Sequence, residues 1–272
     1  MRFGRAHLGG LAFGALTALA CLTPTTAAAQ SGSDAFGGFG ARWQVGGLVF
    51  VSPKFEGGRS YQVTGFPFVA PDLGDNGIVQ IKGTDDVRFR VLQFSGFEFG
   101  PVAGYRFGRD EDDAARLDGL GDIDGGLVLG GFATYRTGPL AFSVSYHHQA
   151  TGDDTGGLVR FGVEHVIRPS ARLKLTTHVG ANYATEDYMT SFFGVSAAQA
   201  FSSGLLEFRP DAGFKDVYVG ATASIDLTDR WTLSLMGRYS RLIGDAADSP
   251  IVETENQFYG GAALSYKFNW GR

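Results

Sequence analysis

The sequence predicts an all-β fold: an antiparallel transmembrane β-barrel of about twelve strands, with ten strands as the alternative count. Three features indicate it. Apolar and polar residues alternate with a period of two, the alternating segments are long, and short connections alternate with longer ones. A tilted strand needs about 9–11 residues to cross a membrane, whereas strands of soluble proteins average about 5–6. Several segments reach the membrane-spanning length, which favours a barrel over a soluble sandwich.

Residues 1–29 have the order of a secretory signal peptide. Arg2 and Arg5 precede an apolar stretch, and small residues follow it up to Ala29. The apolar stretch is short for a membrane-spanning helix, which needs about 20 residues. We therefore predict export, with cleavage between Ala29 and Gln30.

Cys21 raises an alternative, because a lipoprotein signal also ends at a cysteine. Its sequence context fits poorly, since Ala18 stands where a lipobox has Leu. Cleavage after Ala29 would remove Cys21, the only cysteine of the chain, so the mature protein would be stabilised without disulfides.

The composition agrees with a barrel. Gly accounts for 41 of 272 residues, Phe for 23 and Tyr for 10, and charged residues for only 19%. Apolar lipid-facing and polar lumen-facing residues average to the observed mean hydropathy near zero. The net charge of −5 argues against a nucleic-acid partner.

The chain divides into a signal peptide (1–29), a flexible small-residue linker (30–40) and the barrel (41–272). Export and a barrel together predict the bacterial outer membrane, with membrane lipid and lipopolysaccharide as neighbours. The predicted strands are 41–55, 61–71, 77–83, 87–94, 97–109, 122–137, 140–150, 157–168, 172–184, 213–228, 231–243 and 256–269.

The length of a connection depends on whether the strand before it has an even or an odd number. Connections after even-numbered strands are short, whereas those after odd-numbered strands are mostly long and polar, with 83–86 as the short exception. Bacterial barrels have short periplasmic turns and long outer loops, so this parity supports the fold. The connection 185–212 is rich in Phe, and we expect it to fold inward or against the rim.

Charged residues of both signs fall at the strand positions that alternate with the apolar ones, which we call the polar phase of the strands. In an open barrel they would line a pore, and as ion pairs they would help to fill it. A lumen of twelve strands is too wide for side chains alone to fill, although an inserted loop could close it. The candidate lumen-lining residues are Arg88, Arg90, Arg160, Glu164, Lys174, His178, Asp226, Arg238 and Lys267.

Several sequence blocks resemble one family, the MipA/OmpV outer-membrane proteins. They run in the same order from about residue 43 to the C-terminus, and the most specific is Asp245–Val252 (DAADSPIV). The other blocks are Pro53–Gly57, Gly108–Arg109, Gly119–Asp124, Tyr188–Met189, Phe193–Ser196, Ser203–Leu205 and Ala212–Asp216. The resemblance implies a scaffold at the outer membrane that holds a lytic transglycosylase and a penicillin-binding protein. A shared barrel need not share partners, so a passive pore or small-solute channel stays the alternative.

Catalytic and metal sites are the remaining alternatives. His147 and His148 lie near Ser143 and Ser145, as in barrel hydrolases, but adjacent strand residues point to opposite faces. No carboxylate is predictable beside them to orient a histidine base, so we expect no enzyme.

The carboxylates between residues 110 and 124 could bind calcium, but their spacing lacks a complete ligand loop. We interpret this segment as a solvated acidic outer loop that could reach lipopolysaccharide phosphates through divalent ions. The sequence thus predicts no catalytic residue, cofactor or metal.

Overall fold

The structure, a computed structural model, describes residues 42–71 and 78–269. The predicted signal peptide, the cleavage site between Ala29 and Gln30, and the linker 30–40 lie outside the described residues and stay predictions.

Thirteen strands form one antiparallel sheet in the described residues. They are β1 (Arg42–Pro53), β2 (Tyr61–Pro71), β3 (Val79–Gly83), β4 (Asp86–Phe89), β5 (Leu92–Phe94), β6 (Phe97–Arg106), β7 (Gly126–Thr137), β8 (Leu140–Gln149), β9 (Gly157–Ser170), β10 (Leu173–Ala184), β11 (Gly213–Asp226), β12 (Trp231–Leu242) and β13 (Asn256–Asn269). Twelve of them follow the order β2-β1-β13-β12-β11-β10-β9-β8-β7-β6-β4-β3, and β5 pairs with β6. The predicted strand 87–94 is divided into β4 and β5, which accounts for the thirteenth.

The sheet has an apolar and a polar face, and their exposure is the reverse of that in a soluble protein. On β11, Val217 and Val219 are exposed while Asp216 is buried; on β8, Tyr146 is exposed while Ser145 and His147 are buried. Exposed apolar side chains recur on almost every strand. Such a surface is stable only when lipid covers it. The barrel prediction is therefore confirmed.

The polar face is concave. Lys82 of β3 contacts Glu164 of β9 at 2.7 Å, although four strands separate β3 from β9 in the sheet. Adjacent strands lie about 4.8 Å apart, so a flat sheet would keep these side chains far apart. The sheet therefore curls with its charged face inward.

The connections confirm the predicted parity. The end of the barrel at which β1 begins has turns of two to four residues after β5, β7, β9 and β11, and we call it the short-turn end. The opposite loop end carries the long connections 54–60, 107–125, 150–156, 185–212 and 243–255. These contain helices α1 (Glu186–Phe193), α2 (Ala197–Ser203) and α3 (Asp245–Asp248). Among the described residues, no helix is long and apolar enough to span a membrane.

The long connections pack together into a cap with its own core, so they are not separate solvated loops. One cluster combines Phe55, Leu117, Leu120, Val195 and Ile251, which come from four different connections. A second cluster joins α1 and α3 to the ends of β9, β10 and β12. Because each cluster combines residues from several connections, the cap is a packed layer over the loop end of the barrel.

Candidate functional site

A β-bulge places two adjacent charged residues on the inner face beneath the cap. The register between β10 and β11 shifts at Asn182 and Tyr183, so that Lys215 has no opposite partner in the ladder. Adjacent strand residues normally point to opposite faces, but at a bulge both can point to one. Lys215 and Asp216 are consequently both buried.

Lys215 is neutralised by two carboxylates. Its Nζ lies 2.7 Å from Asp216 Oδ2 and 2.9 Å from Oε1 of Glu56, which comes from the first long connection. Asn182 donates to both oxygens of Asp216 at 2.9 and 3.0 Å, and Ser240 donates to it at 3.1 Å. A buried charge persists only with such partners. We call this group the Lys215 cluster.

A second buried group forms around the tip of the β3–β4 hairpin, which folds into the barrel. Arg88 binds both oxygens of Asp86 at 2.8 and 2.9 Å. Arg160 of β9 contacts Asp85 at 2.5 Å, and Arg106 of β6 lies 3.9 Å from the same carboxylate. We call these residues the hairpin cluster; they occupy the interior next to β6, β8 and β9.

Tyr188 of α1 joins the two groups. Its ring lies 5.1 Å from the Arg106 guanidinium carbon and 5.7 Å from the Lys215 Nζ, and its hydroxyl donates to Glu56 at 3.3 Å. Burial, reinforced by the charge of Glu56, raises the pKa of Tyr188 above its ordinary value. The long connection 185–212 therefore folds inward through α1, as predicted from its apolar content.

The outer part of that connection remains at the surface. Phe193 and Val195 are buried in the cap, whereas Phe201 of α2 is 91% exposed and Leu206 is 80% exposed. The apolar composition thus identified a packed loop but not which of its side chains pack.

The structure brings together a serine and a histidine that the sequence could only place on one face. Ser145 Oγ lies 2.8 Å from His147 Nε2, while His147 Nδ1 lies 3.1 Å from the Asp85 carbonyl oxygen. Asp86 comes within 3.8 Å of the same Nε2. Sequence reasoning missed this carboxylate, because it arrives only through the inward fold of the hairpin tip.

The distance between Ser145 Oγ and His147 Nε2 is that of a nucleophile and its base, but the pair lacks access to a substrate. Ser145 is 2% exposed and His147 is fully buried, so neither presents an atom to a substrate. Arg88 also donates to Ser145 Oγ at 3.2 Å. As predicted, His148 lies on the opposite face, where its ring stacks on Tyr146. Ser145 and His147 are therefore part of the hydrogen-bonded network of the hairpin cluster.

The nine candidate lumen residues lie on the polar phase of their strands, and most have a charged partner. The contacts are Arg88–Asp86 (2.8 Å), Arg90–Glu98 (3.1 Å), Arg160–Asp85 (2.5 Å), Glu164–Lys82 (2.7 Å), Arg238–Asp216 (3.6 Å) and Lys267–Asp226 (3.3 Å). His178 lies beside Tyr218, with ring centroids 6.2 Å apart, and Lys174 interacts electrostatically with Asp226. Ion pairing, rather than a line of unpaired charges, is the common pattern.

The acidic connection 107–125 uses its carboxylates to hold its own backbone. Glu111 accepts from the backbone amides of Gly119 and Gly121, and Asp122 accepts from the amide of Glu111. Within 42–71 and 78–269, no three His, Cys, Asp or Glu side chains are grouped to hold a metal ion.

Comparison with known proteins identifies the family. The family described as MltA-interacting protein MipA matches residues 45–268, which is most of the chain. The chain belongs to the MipA family. This confirms the resemblance seen in the sequence blocks.

Relatives in this family are outer-membrane proteins. The chain is 28% identical to outer membrane protein Omp26La of Vibrio anguillarum over 164 residues, which is 58% of this chain and 61% of the relative. It is 27% identical to OmpV of Vibrio cholerae over the same shares of 58% and 61%. It is also 27% identical to the MltA-interacting protein of Escherichia coli, over 35% of this chain and 38% of that protein. The chain thus spans about three fifths of the first two relatives.

Among solved structures, an outer membrane channel from Pseudomonas putida F1 aligns with 89% of this chain and 100% of its own, at 10% identity and a TM-score of 0.42. The fold assignment rests on the strand order and the exposed apolar face of this chain. This MipA-family protein is an outer-membrane β-barrel.

Proposed function

We propose that this MipA-family barrel is a non-conducting anchor that holds a lytic transglycosylase and a penicillin-binding protein at the outer membrane. The observation that carries the proposal is the filled loop end of the interior. There the Lys215 cluster, the hairpin cluster and Tyr188 occupy the space beneath the cap. A scaffold needs a stable wall but no solute path.

Three features support this function over the alternatives. One relative is named for its interaction with MltA, which points to a murein enzyme as partner. Two ion pairs of the candidate lumen residues, Glu164–Lys82 and Arg160–Asp85, reach across the interior, which opposes free diffusion of solutes. The buried Ser145–His147 pair offers no access to a substrate, which speaks against a hydrolase.

Two further parts of the proposal concern the lumen surface and the N-terminus. We assign the nine candidate residues to the lumen surface, and residues 1–29 to a signal peptide cleaved after Ala29. Mass spectrometry of the N-terminus of the protein isolated from outer membranes tests the second part; any start other than Gln30 contradicts it.

Single-channel recording in planar bilayers tests the anchor against the pore. We expect no steady openings from the refolded protein, together with capture of a murein transglycosylase by the tagged protein from the same envelope extract. Steady conductance in the wild-type protein would overturn the anchor and support the passive channel. Tyr188→Ala, which removes the ring between the two charged clusters, should produce openings, whereas Phe201→Ala at an exposed site should not.

A further inference from the structure

The inner surface of β10–β13 towards the short-turn end differs from the filled loop end. Six residues define this surface, which we call the basic vestibule: Lys174, Thr222, Ser224, Ser234, Arg238 and Lys267. All lie on the inward phase of their strands, and Thr222, Ser224 and Ser234 are only partly buried. The Arg238 guanidinium forms its upper boundary, 3.9 Å over the ring of Tyr218.

Within the described part of the chain, basic side chains of the vestibule outnumber acidic ones. Lys174, Arg238 and Lys267 are basic, and Asp226 is the acidic residue that interacts with both lysines. Arg238 faces Asp216 at 3.6 Å, but that carboxylate is already engaged by Lys215 at 2.7 Å. A net positive concave surface attracts carboxylates, and its low-dielectric walls strengthen the attraction.

Hydroxyl groups line the wall between these charges. Thr176 opposes Thr222 across β10 and β11, and Ser224 opposes Ser234 across β11 and β12 with their oxygens 3.5 Å apart. Each hydroxyl donates and accepts one or more hydrogen bonds. A ladder of hydroxyls beside basic groups suits a ligand that presents peptide groups and carboxylates in a row.

The vestibule is accessible where the loop end is not. The side chains of Lys267 and Arg238 are 33% and 36% exposed, against 5% for Lys215. The turns after β9 and β11 are only two and four residues long, so they add little surface of their own. A partner that binds at this end therefore gains most contact by entering the barrel.

We propose that the basic vestibule takes up an extended acidic segment of the periplasmic partner protein. This inference rests on the proposed anchoring function and names how the anchor holds its partner. An extended peptide rises about 3.3 Å per residue and presents alternate side chains to one face, so acidic residues at every second position can meet the lysines successively. Charge-assisted hydrogen bonds from Lys174 and Lys267 fix the carboxylates, and the hydroxyl ladder binds the peptide groups.

Fluorescence anisotropy with a defined probe tests the vestibule. The probe is a labelled twelve-residue peptide of alternating Glu and Ser, added to the refolded mature barrel in detergent micelles, and its Gln-Ser counterpart is the neutral control. We expect binding of the acidic peptide only, weakened by added salt, because the charges are partly exposed. The double variant Lys174→Gln/Lys267→Gln should lose about tenfold or more in affinity, because it removes both charge-assisted hydrogen bonds to the peptide carboxylates.

The matched control variant removes two positive charges at the loop end, Lys54→Gln/Arg209→Gln, and should bind the peptide within about twofold of wild type. Heat-modifiable gel mobility checks that every variant folds. Equal loss in both double variants, equal binding of the Gln peptide, or equally effective displacement by polyphosphate at the same charge would each overturn the proposal.

Capture of the transglycosylase from extract separates this inference from the anchoring function itself. Capture that is lost in Lys174→Gln/Lys267→Gln but kept in the control supports the vestibule as the docking site. Capture kept in both variants overturns the vestibule and leaves the anchor standing, whereas conductance by the wild-type barrel overturns the anchor.

Discussion

Two lysine–aspartate pairs at opposite ends of the same inner face differ in how far their side chains are exposed. Lys215 lies 2.7 Å from Asp216 beneath the cap, and their side chains are 5% and 2% exposed. Lys267 lies 3.3 Å from Asp226 near the short-turn end, and their side chains are 33% and 42% exposed. The first pair is part of the protein interior, whereas the second remains available to solvent and ligands. The loop end of this barrel is closely packed, whereas the short-turn end leaves charged side chains partly exposed.

Removing the buried lysine should have the largest effect. Lys215→Ala removes the cation that Glu56 and Asp216 share and leaves Asp216 facing the more distant Arg238 at 3.6 Å, which costs about 3–5 kcal/mol for a broken buried pair. The matched change Lys267→Ala breaks an exposed pair and should cost about 0–1 kcal/mol. Urea titration of the refolded protein in lipid vesicles measures both free energies of unfolding. Similar losses in the two variants would contradict the contrast between the ends.

Weakening the cap core should come next. Leu117 is fully buried among residues of other connections, so Leu117→Ala should cost about 2–5 kcal/mol and loosen the cap. The control Phe201→Ala changes an exposed side chain and should cost less than about 0.5 kcal/mol. Limited proteolysis of intact cells measures the opening, with faster cleavage between residues 190 and 205 expected only for Leu117→Ala. Rapid cleavage there in the wild-type protein would contradict a packed cap.

Displacing the hairpin tip tests the filled interior itself. A Cβ at Gly104 would lie 2.6 Å from the Asp85 Cα, so Gly104→Ala must push the tip away and should cost about 1–3 kcal/mol. Nothing lies within 4 Å of a Cβ at Gly47, so Gly47→Ala is the matched control. We expect channel openings in planar bilayers from Gly104→Ala and none from Gly47→Ala. Silence of Gly104→Ala together with unchanged stability would show that the tip does not fill the lumen.

The smallest effect should come from a helix cap at the surface. Ser196 accepts from the amide of Gln199, and the Gln199 side chain accepts from the Ser196 amide, which closes a capping box on α2. Ser196→Ala should cost about 1 kcal/mol, whereas Ser202→Ala, in the last turn of the same helix, should cost less. Hydrogen exchange of the α2 amides distinguishes the two variants; equal exchange would contradict the capping role.

Much of the β-barrel wall was predictable, because the alternation of apolar and polar residues along a strand is a local feature of the sequence. The predicted strands 140–150 and 256–269 correspond to Leu140–Gln149 and Asn256–Asn269. The prediction was less accurate where the strands are short: the predicted strand 87–94 breaks at Arg90 and Val91, next to the two consecutive apolar residues Val91 and Leu92.

The inner charged clusters were only half predictable. The phase of Arg88 and Arg160 follows from alternation, but their partners Asp86 and Asp85 depend on the hairpin tip turning inward. The Lys215 cluster depends on a bulge, which puts two neighbouring residues on the same side against the period of two. Both features arise from contacts between distant parts of the chain, which periodicity does not record.

The ladder between β1 and β13 has a consequence for biogenesis. Most neighbouring strands are also neighbours in sequence and can pair as successive hairpins. The ladder between β1 and β13 instead joins Arg42 to Asn269, so it can form only when almost the whole polypeptide is present. Contacts between such distant positions form late, because closing a long loop costs entropy before any pairing is gained. Phe55, which follows β1, reaches Leu117 and Ile251 in the cap. Burial of Phe55 would therefore mark a fully assembled molecule and distinguish it from a stalled insertion intermediate.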